Sequence, residues 1–132
     1  MGFPLYITTT TANNITTTTA DSGGQDITYN AYTASEKGVC WSSINEYPTI
    51  EIDDHDGIPV VGNNADDYVI SMTGLTPDTL YYYRAYVIQN LGTSYATELT
   101  FTTESAPSTP KFTIVGGNFL TFNGQRITFT PE

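Results

Sequence analysis

Apolar residues in this chain recur at every second position, and no stretch repeats them at the 3.6-residue period of a helix. The expectation is therefore a protein of strands and turns. Residues 5–11 read as a first strand. Residues 15–20 read as a second, with Asp21-Ser22-Gly23-Gly24 interrupting or bending it. The threonine runs 8–11 and 16–19 fit half-exposed strands, because β-branched side chains suit a pleated surface. Residues 37–43 form a third strand with Val39 and Trp41 on one face and Cys40 on the other; alternation alone leaves the inward face open. Residues 47–52 suit a short edge strand, where Pro48 is tolerated. Residues 68–72, 80–89 and 94–102 complete the set, with Phe101 directed inward.

A turn carrying Leu75 and Pro77 runs into a strand in which Tyr81 is an early residue. This is the sequence form of a tyrosine corner, in which the phenol bonds back to backbone a few residues upstream and locks a β-sandwich rim. With Tyr81 inward, Tyr83, Ala85 and Val87 share its face. Tyr82, Arg84, Tyr86 and Ile88 then face outward. Tyr82, Arg84 and Tyr86 make a row of the residue types favoured in binding hot spots, which could equally be cross-strand pairing on a wet sheet face.

The block Leu75-Thr-Pro-Asp-Thr-Leu-Tyr81, continuing through Gly92 to Glu98-Leu-Thr-Phe-Thr-Thr103, resembles the last two strands of a fibronectin type III domain. Lys37-Gly38-Val39-Cys40-Trp41-Ser42, Pro48-Thr49-Ile50, Asn14-Ile15-Thr16 and Gly23-Gly24 resemble the bacterial variety of cell-surface arrays and phage structural proteins. The resemblance spans residues 7–103. It implies an immunoglobulin-like sandwich serving adhesion, spacing or protein binding, without catalytic residues. The acidic insert 51–67 and everything after Glu104 depart from it.

The expected architecture is all-β. A fibronectin type III-like β-sandwich occupies residues 5–103 and a proline-containing linker residues 104–110. A C-terminal β-hairpin arm occupies residues 111–132. Asn123-Gly124 between alternating runs is the hairpin signal, since both residues tolerate the positive φ of a type I′ turn. Phe112, Ile114, Phe119, Leu120, Phe122, Ile127 and Phe129 are many apolar groups for a free tail. An isolated hairpin is marginal in water, so this one needs a surface. That surface is the chain's own sandwich, a further domain, or a neighbour docked by strand addition.

Composition narrows the function. With 132 residues, 39% hydrophobic and 13% aromatic, the chain can bury one core. Fourteen acidic residues against four basic give a net charge of -10. That opposes direct binding to nucleic acid or an anionic membrane and favours solubility at high density. No apolar run approaches the roughly 20 residues of a membrane span, and the first residues, Met1-Gly2-Phe3-Pro4, lack the features of a secretory signal. If this is the whole gene product, the expectation is that it leaves the cell by another route, such as assembly into a virus particle released by lysis.

Cys40 stands alone, so no intrachain disulfide or cysteine zinc cluster forms. One histidine, His55, and no Gly-x-Ser-x-Gly elbow leave no nucleophile with an evident base, and no enzyme is expected. No cofactor is expected either. Asp53, Asp54 and Asp56 with Gly57, and Asp66-Asp67 later, are the one concentration of hard oxygen ligands suited to Ca2+, yet the spacing is not that of an EF-hand; a solvated acidic loop is the plainer account. The functional expectation is a non-enzymatic virion accessory protein. It would decorate a capsid or attach to a tail, held to a coat or tail protein by its C-terminal arm, with residues 3–7 as a second candidate anchor. The rivals are an extracellular module binding a host-surface glycan or protein, with Trp41 and the outward tyrosines stacking on sugars, and a spacer domain of a secreted multidomain protein.

Overall fold

The computed structural model describes residues 6–28, 34–59, 66–90, 92–108, 112–115, 119–122 and 125–127. Every element among them is a strand: β1 Tyr6–Thr9, β2 Ala20–Thr28, β3 Ala34–Ser42, β4 Asp54–Pro59, β5 Tyr68–Met72, β6 Leu80–Gln89, β7 Gly92–Tyr95, β8 Leu99–Thr102, β9 Phe112–Val115, β10 Phe119–Phe122 and β11 Gln125–Ile127. One sheet runs β1-β2-β5. A five-stranded sheet runs β4-β3-β6-β7, with β8 also pairing β6. All pairings are antiparallel.

The core lies between these two sheets. Val39 and Trp41 from β3, Tyr81 and Tyr83 from β6 and Phe101 from β8 meet Ala20 and Ile27 from β2 and Tyr68, Ile70 and Met72 from β5. The inward face of β3 is thus the one carrying Val39 and Trp41. Tyr81 stacks on Phe101 at 5.6 Å between centroids, and Tyr83 meets the same ring edge-on at 5.4 Å. Such offset and edge contacts add to area burial.

Tyrosine hydroxyls do the polar fastening. The Thr76 amide donates to the Tyr81 hydroxyl at 2.9 Å, the back-bond of a tyrosine corner, with Leu75 buried beside it. The Tyr83 hydroxyl crosses from the larger sheet to the chain after β1, accepting from the Ala12 amide at 2.7 Å and donating to the Thr10 carbonyl at 3.2 Å. The Tyr68 hydroxyl crosses the other way, donating to the Gly38 carbonyl at 2.7 Å. Each ring fills the core while its oxygen satisfies backbone groups that burial would otherwise leave unpaired.

Four sequence expectations shift. The second strand begins at Ala20 rather than residue 15. The Thr16 hydroxyl accepts from the amides of Thr18 (3.2 Å) and Thr19 (2.9 Å), and the Thr16 amide donates to the Thr19 carbonyl at 2.8 Å, closing a turn there. Threonine side chains compete with ladder bonding in this way. Asp21-Ser22-Gly23-Gly24, expected to interrupt the strand, pairs continuously with β5. The Tyr68 ring lies where a side chain on Gly24 would sit. The expected strand at 47–52 is a turn, and the edge strand is instead β4, inside the segment read as an acidic loop. The single last strand is two: β8 pairs the first part of β6 and β7 the last, while between them the Ala96 amide donates to the Ala85 carbonyl at 2.9 Å.

After Thr103 the described strands β9, β10 and β11 form a separate three-stranded antiparallel sheet in the order β11-β10-β9. The sequence reading gave a two-stranded hairpin. Gly116-Gly117-Asn118 divides the apolar run as Asn123-Gly124 does and is a second turn signal in the sequence. Phe122 pairs with Gln125 and Phe119 with Val115. Residues 3–5, Asn123, Gly124 and Phe129 lie outside the described residues.

Candidate functional site

The outer face of the five-stranded sheet, with the loop of residues 43–53 laid over it, gathers the chemistry-bearing side chains of the sandwich. Its floor is built from β6, where Tyr82, Arg84, Tyr86 and Ile88 alternate with the core residues. The row expected to face solvent divides into three roles. Tyr82 is half-buried beside its cross-strand partner Ser42. Arg84 is a clamp: its Nε donates to the Pro48 carbonyl at 2.7 Å, and its guanidinium lies 4.0 Å from the centroid of the Tyr95 ring on β7. Tyr86 is not exposed at all, with 0% of its surface accessible.

Glycines explain the burial of Tyr86. Gly38 on β3 and Gly57 on β4 face each other in the ladder. A Cβ on Gly38 would lie 2.8 Å from the Tyr86 hydroxyl, and one on Gly57 2.9 Å from it. The hydroxyl occupies the slot these residues leave and donates to Glu36 Oε1 at 2.6 Å. Burial, and then the Glu36 carboxylate, push the Tyr86 phenol well above the usual tyrosine range. Outward alternation was legible in the sequence; the two glycines opposite, which let the strand swallow its own tyrosine, were the unused signal.

The loop is held at several points. The Ser42 hydroxyl accepts from the amides of Ile44 (3.2 Å) and Asn45 (3.0 Å). The Asp53 carboxylate accepts from Asn45 Nδ2 at 2.7 Å and the Thr49 amide at 3.1 Å, while the Asp53 amide donates to the Thr49 carbonyl at 3.1 Å. The Ile50 amide donates to the Tyr95 hydroxyl at 3.3 Å. Pro48 is fully buried, and its carbonyl also accepts from Cys40 Sγ at 3.4 Å. Cys40 is thereby enclosed between sheet and loop, and burial pushes its thiol up to about 11. A thiol so placed is a poor nucleophile at neutral pH.

The acidic group does not form a cage. Asp53 is engaged within the loop, whereas Asp54, His55 and Asp56 are exposed on edge strand β4. Among the described residues no group of three or more His, Cys, Asp or Glu side chains is placed to hold a metal ion. The His55 ring stands edge-on to Tyr86 at 6.1 Å. Trp41, a candidate for stacking on sugars, is 5% exposed and belongs to the core. Of the C-terminal residues, Phe112, Ile114, Phe119, Phe122 and Ile127 fall on β9, β10 and β11, and their side chains lie outside what is described.

The sensor domain of the anti-sigma factor RsgI4 from Pseudobacteroides cellulosolvens superposes with a TM-score of 0.59 at 18% identity, over 79% of this chain and 98% of that one. A longer form of that domain gives 0.59 at 19% identity, over 85% of this chain and 100% of that one. A fibronectin type III domain of the human KIAA0970 protein gives 0.51 at 17% identity, over 80% of this chain and 78% of that one. The fold is a fibronectin type III-like β-sandwich. At these identities the likeness is one of architecture. No family model matches the chain, and no curated protein matches it. The described residues supply a two-sheet sandwich, a clamped loop on one face, and a separate three-stranded sheet after Thr103.

Proposed function

We propose that this chain is a non-enzymatic display protein. It is a virion accessory held to a coat or tail protein through strands β9–β11, with the acidic sandwich turned outward. The observation that carries this reading is the third sheet, whose strands pair only with one another among the described residues. A single small sheet with strands of four, four and three residues needs a second layer against which to bury an apolar face. The sequence places six phenylalanine, isoleucine and leucine residues on it, and a partner surface would bury them. The preceding Glu104-Ser-Ala-Pro-Ser-Thr-Pro110 segment suits a semi-rigid spacer. A net charge of -10 supports solubility when many copies are crowded on one particle. A buried Cys40 thiol and a His55 on an edge strand favour binding over catalysis.

The test is quantitative mass spectrometry across density-gradient fractions of particles released by the source organism. The expected result is co-migration with a coat or tail protein at many copies per particle. Removal of residues 111–132 is expected to leave the sandwich in the free fractions. A chain absent from particle fractions, or a truncated form that stays attached, overturns the reading.

A further inference from the structure

We propose that the loop of residues 43–53 is a preorganised recognition loop for a second protein, one that offers an apolar segment flanked by lysine and arginine. This inference does not depend on how the chain is anchored. Six large hydrophobic side chains are exposed among the described residues, and three of them, Ile44 (85%), Tyr47 (58%) and Ile52 (76%), stand on this one loop. Scattered exposed apolar residues are ordinary on a protein surface; here half of the six stand on one short tied loop.

The loop does not simply lack structure. The contacts of Ser42, Asp53, Arg84 and Tyr95 hold its backbone, and Pro48 plugs it into the sheet face. These restraints keep the backbone fixed while leaving the three apolar groups outside. A loop ordered before binding loses little conformational entropy on association, which is how rigid paratopes gain affinity.

Charge identifies the occupant. Glu46 and Glu51 are exposed on the loop, and Asp54 and Asp56 are exposed on the adjoining strand β4. Residues 43–59 contain no lysine or arginine. Arg84, under the loop, is committed to Pro48 and Tyr95. The three exposed apolar groups therefore share their stretch of chain with exposed carboxylates and with no lysine or arginine, the composition of a hydrophobic hot spot with polar surroundings. Its complement is an apolar segment with cationic flanks, and that charge match speeds encounter.

The full chain, immobilised, would be challenged with a displayed library of random 12-residue peptides. Selected peptides would be synthesised and titrated calorimetrically at low and high salt. The expected winners are net positive with apolar anchors, and they weaken as salt rises. A variant with Ile44→Ser, Tyr47→Ser and Ile52→Ser keeps the charge of the parent and, because the three side chains are exposed, is expected to keep its near-UV spectrum and melting temperature. It should bind those peptides at least about tenfold more weakly. Asp53→Ala, which frees the loop while retaining its apolar groups, should also bind several-fold more weakly. Selection of acidic peptides, failure of the library to enrich any sequence, equal affinity for the triple variant, or unchanged affinity for Asp53→Ala each overturns the proposal.

Discussion

Replacing Tyr86 with phenylalanine removes one oxygen from a buried side chain. The ring remains packed; the lost bond is the 2.6 Å donation to Glu36 Oε1, made from a side chain with 0% exposure. A hydrogen bond to a charged group contributes about 1.5–3 kcal/mol. Glu36 is only half-buried, so water can reach the freed carboxylate, and the lower part of that range applies. The void left between Gly38 and Gly57 adds a small packing loss. The sum is about 2 kcal/mol, or a melting temperature lower by about 6–10 °C for a domain of this size. Gly57→Ala tests the same slot from the other side, since its Cβ would lie 2.5 Å from the Glu36 carboxylate and 2.9 Å from the Tyr86 hydroxyl. Overpacking of that kind costs about 1–3 kcal/mol. The two changes should be non-additive: without the hydroxyl, Glu36 is free to move away and the alanine costs about half as much. Urea denaturation followed by Trp41 fluorescence gives all four corners of the cycle. A Tyr86→Phe protein within about 0.5 kcal/mol of the parent, or an alanine penalty indifferent to residue 86, would refute the reasoning.

Tyr81→Phe leaves the Thr76 amide without its partner and should cost about 1–2 kcal/mol; an unchanged urea midpoint would remove the corner from the account of stability. The Cys40 thiol is held at about 11 against an ordinary 9.0, so the unfolded chain ionises first. Its share of stability is complete below pH 9, is lost between pH 9 and about 11, and should vanish from the alkaline limb in Cys40→Ala when both proteins are melted across that window. Asp21 is held below the usual carboxylate range by Ser71 and then Asn14. Its contribution is therefore present above the ordinary carboxylate pKa and lost as pH falls through the lowered one, so Asp21→Asn should show a shallower acid limb in a pH series of melts.

The strands whose pattern was set by core burial were legible from the sequence. β5 and β6 appear at the expected residues because Tyr68, Ile70 and Met72, and Tyr81, Tyr83, Ala85 and Val87, alternate cleanly into one core. What alternation could not supply was the second neighbour. Tyr86 and Cys40 point away from that core yet are buried, because a glycine slot and a folded loop cover the other face. The strand at Asp54–Pro59 was hidden by its own composition, since aspartate and glycine are poor strand formers and only pairing with β3 holds them extended. Likewise the turn at Thr16 arises from side-chain oxygens capping the backbone, which no hydrophobic period reports. The recognition loop was half visible: Pro48 and the acids stood out, but only the structure placed Ile44, Tyr47 and Ile52 outside it.

Among the described residues strand β4 closes one side of the five-stranded sheet, with Asp54, His55 and Asp56 exposed along that border. Unpaired backbone there would invite another copy to continue the ladder, and carboxylates at the border repel such a newcomer before its hydrogen bonds can form. Copies held shoulder to shoulder would thus stay separate bodies instead of fusing into a continuous β-ribbon. The weak intrinsic strand preference of these acids is the counterpart of that protection against aggregation.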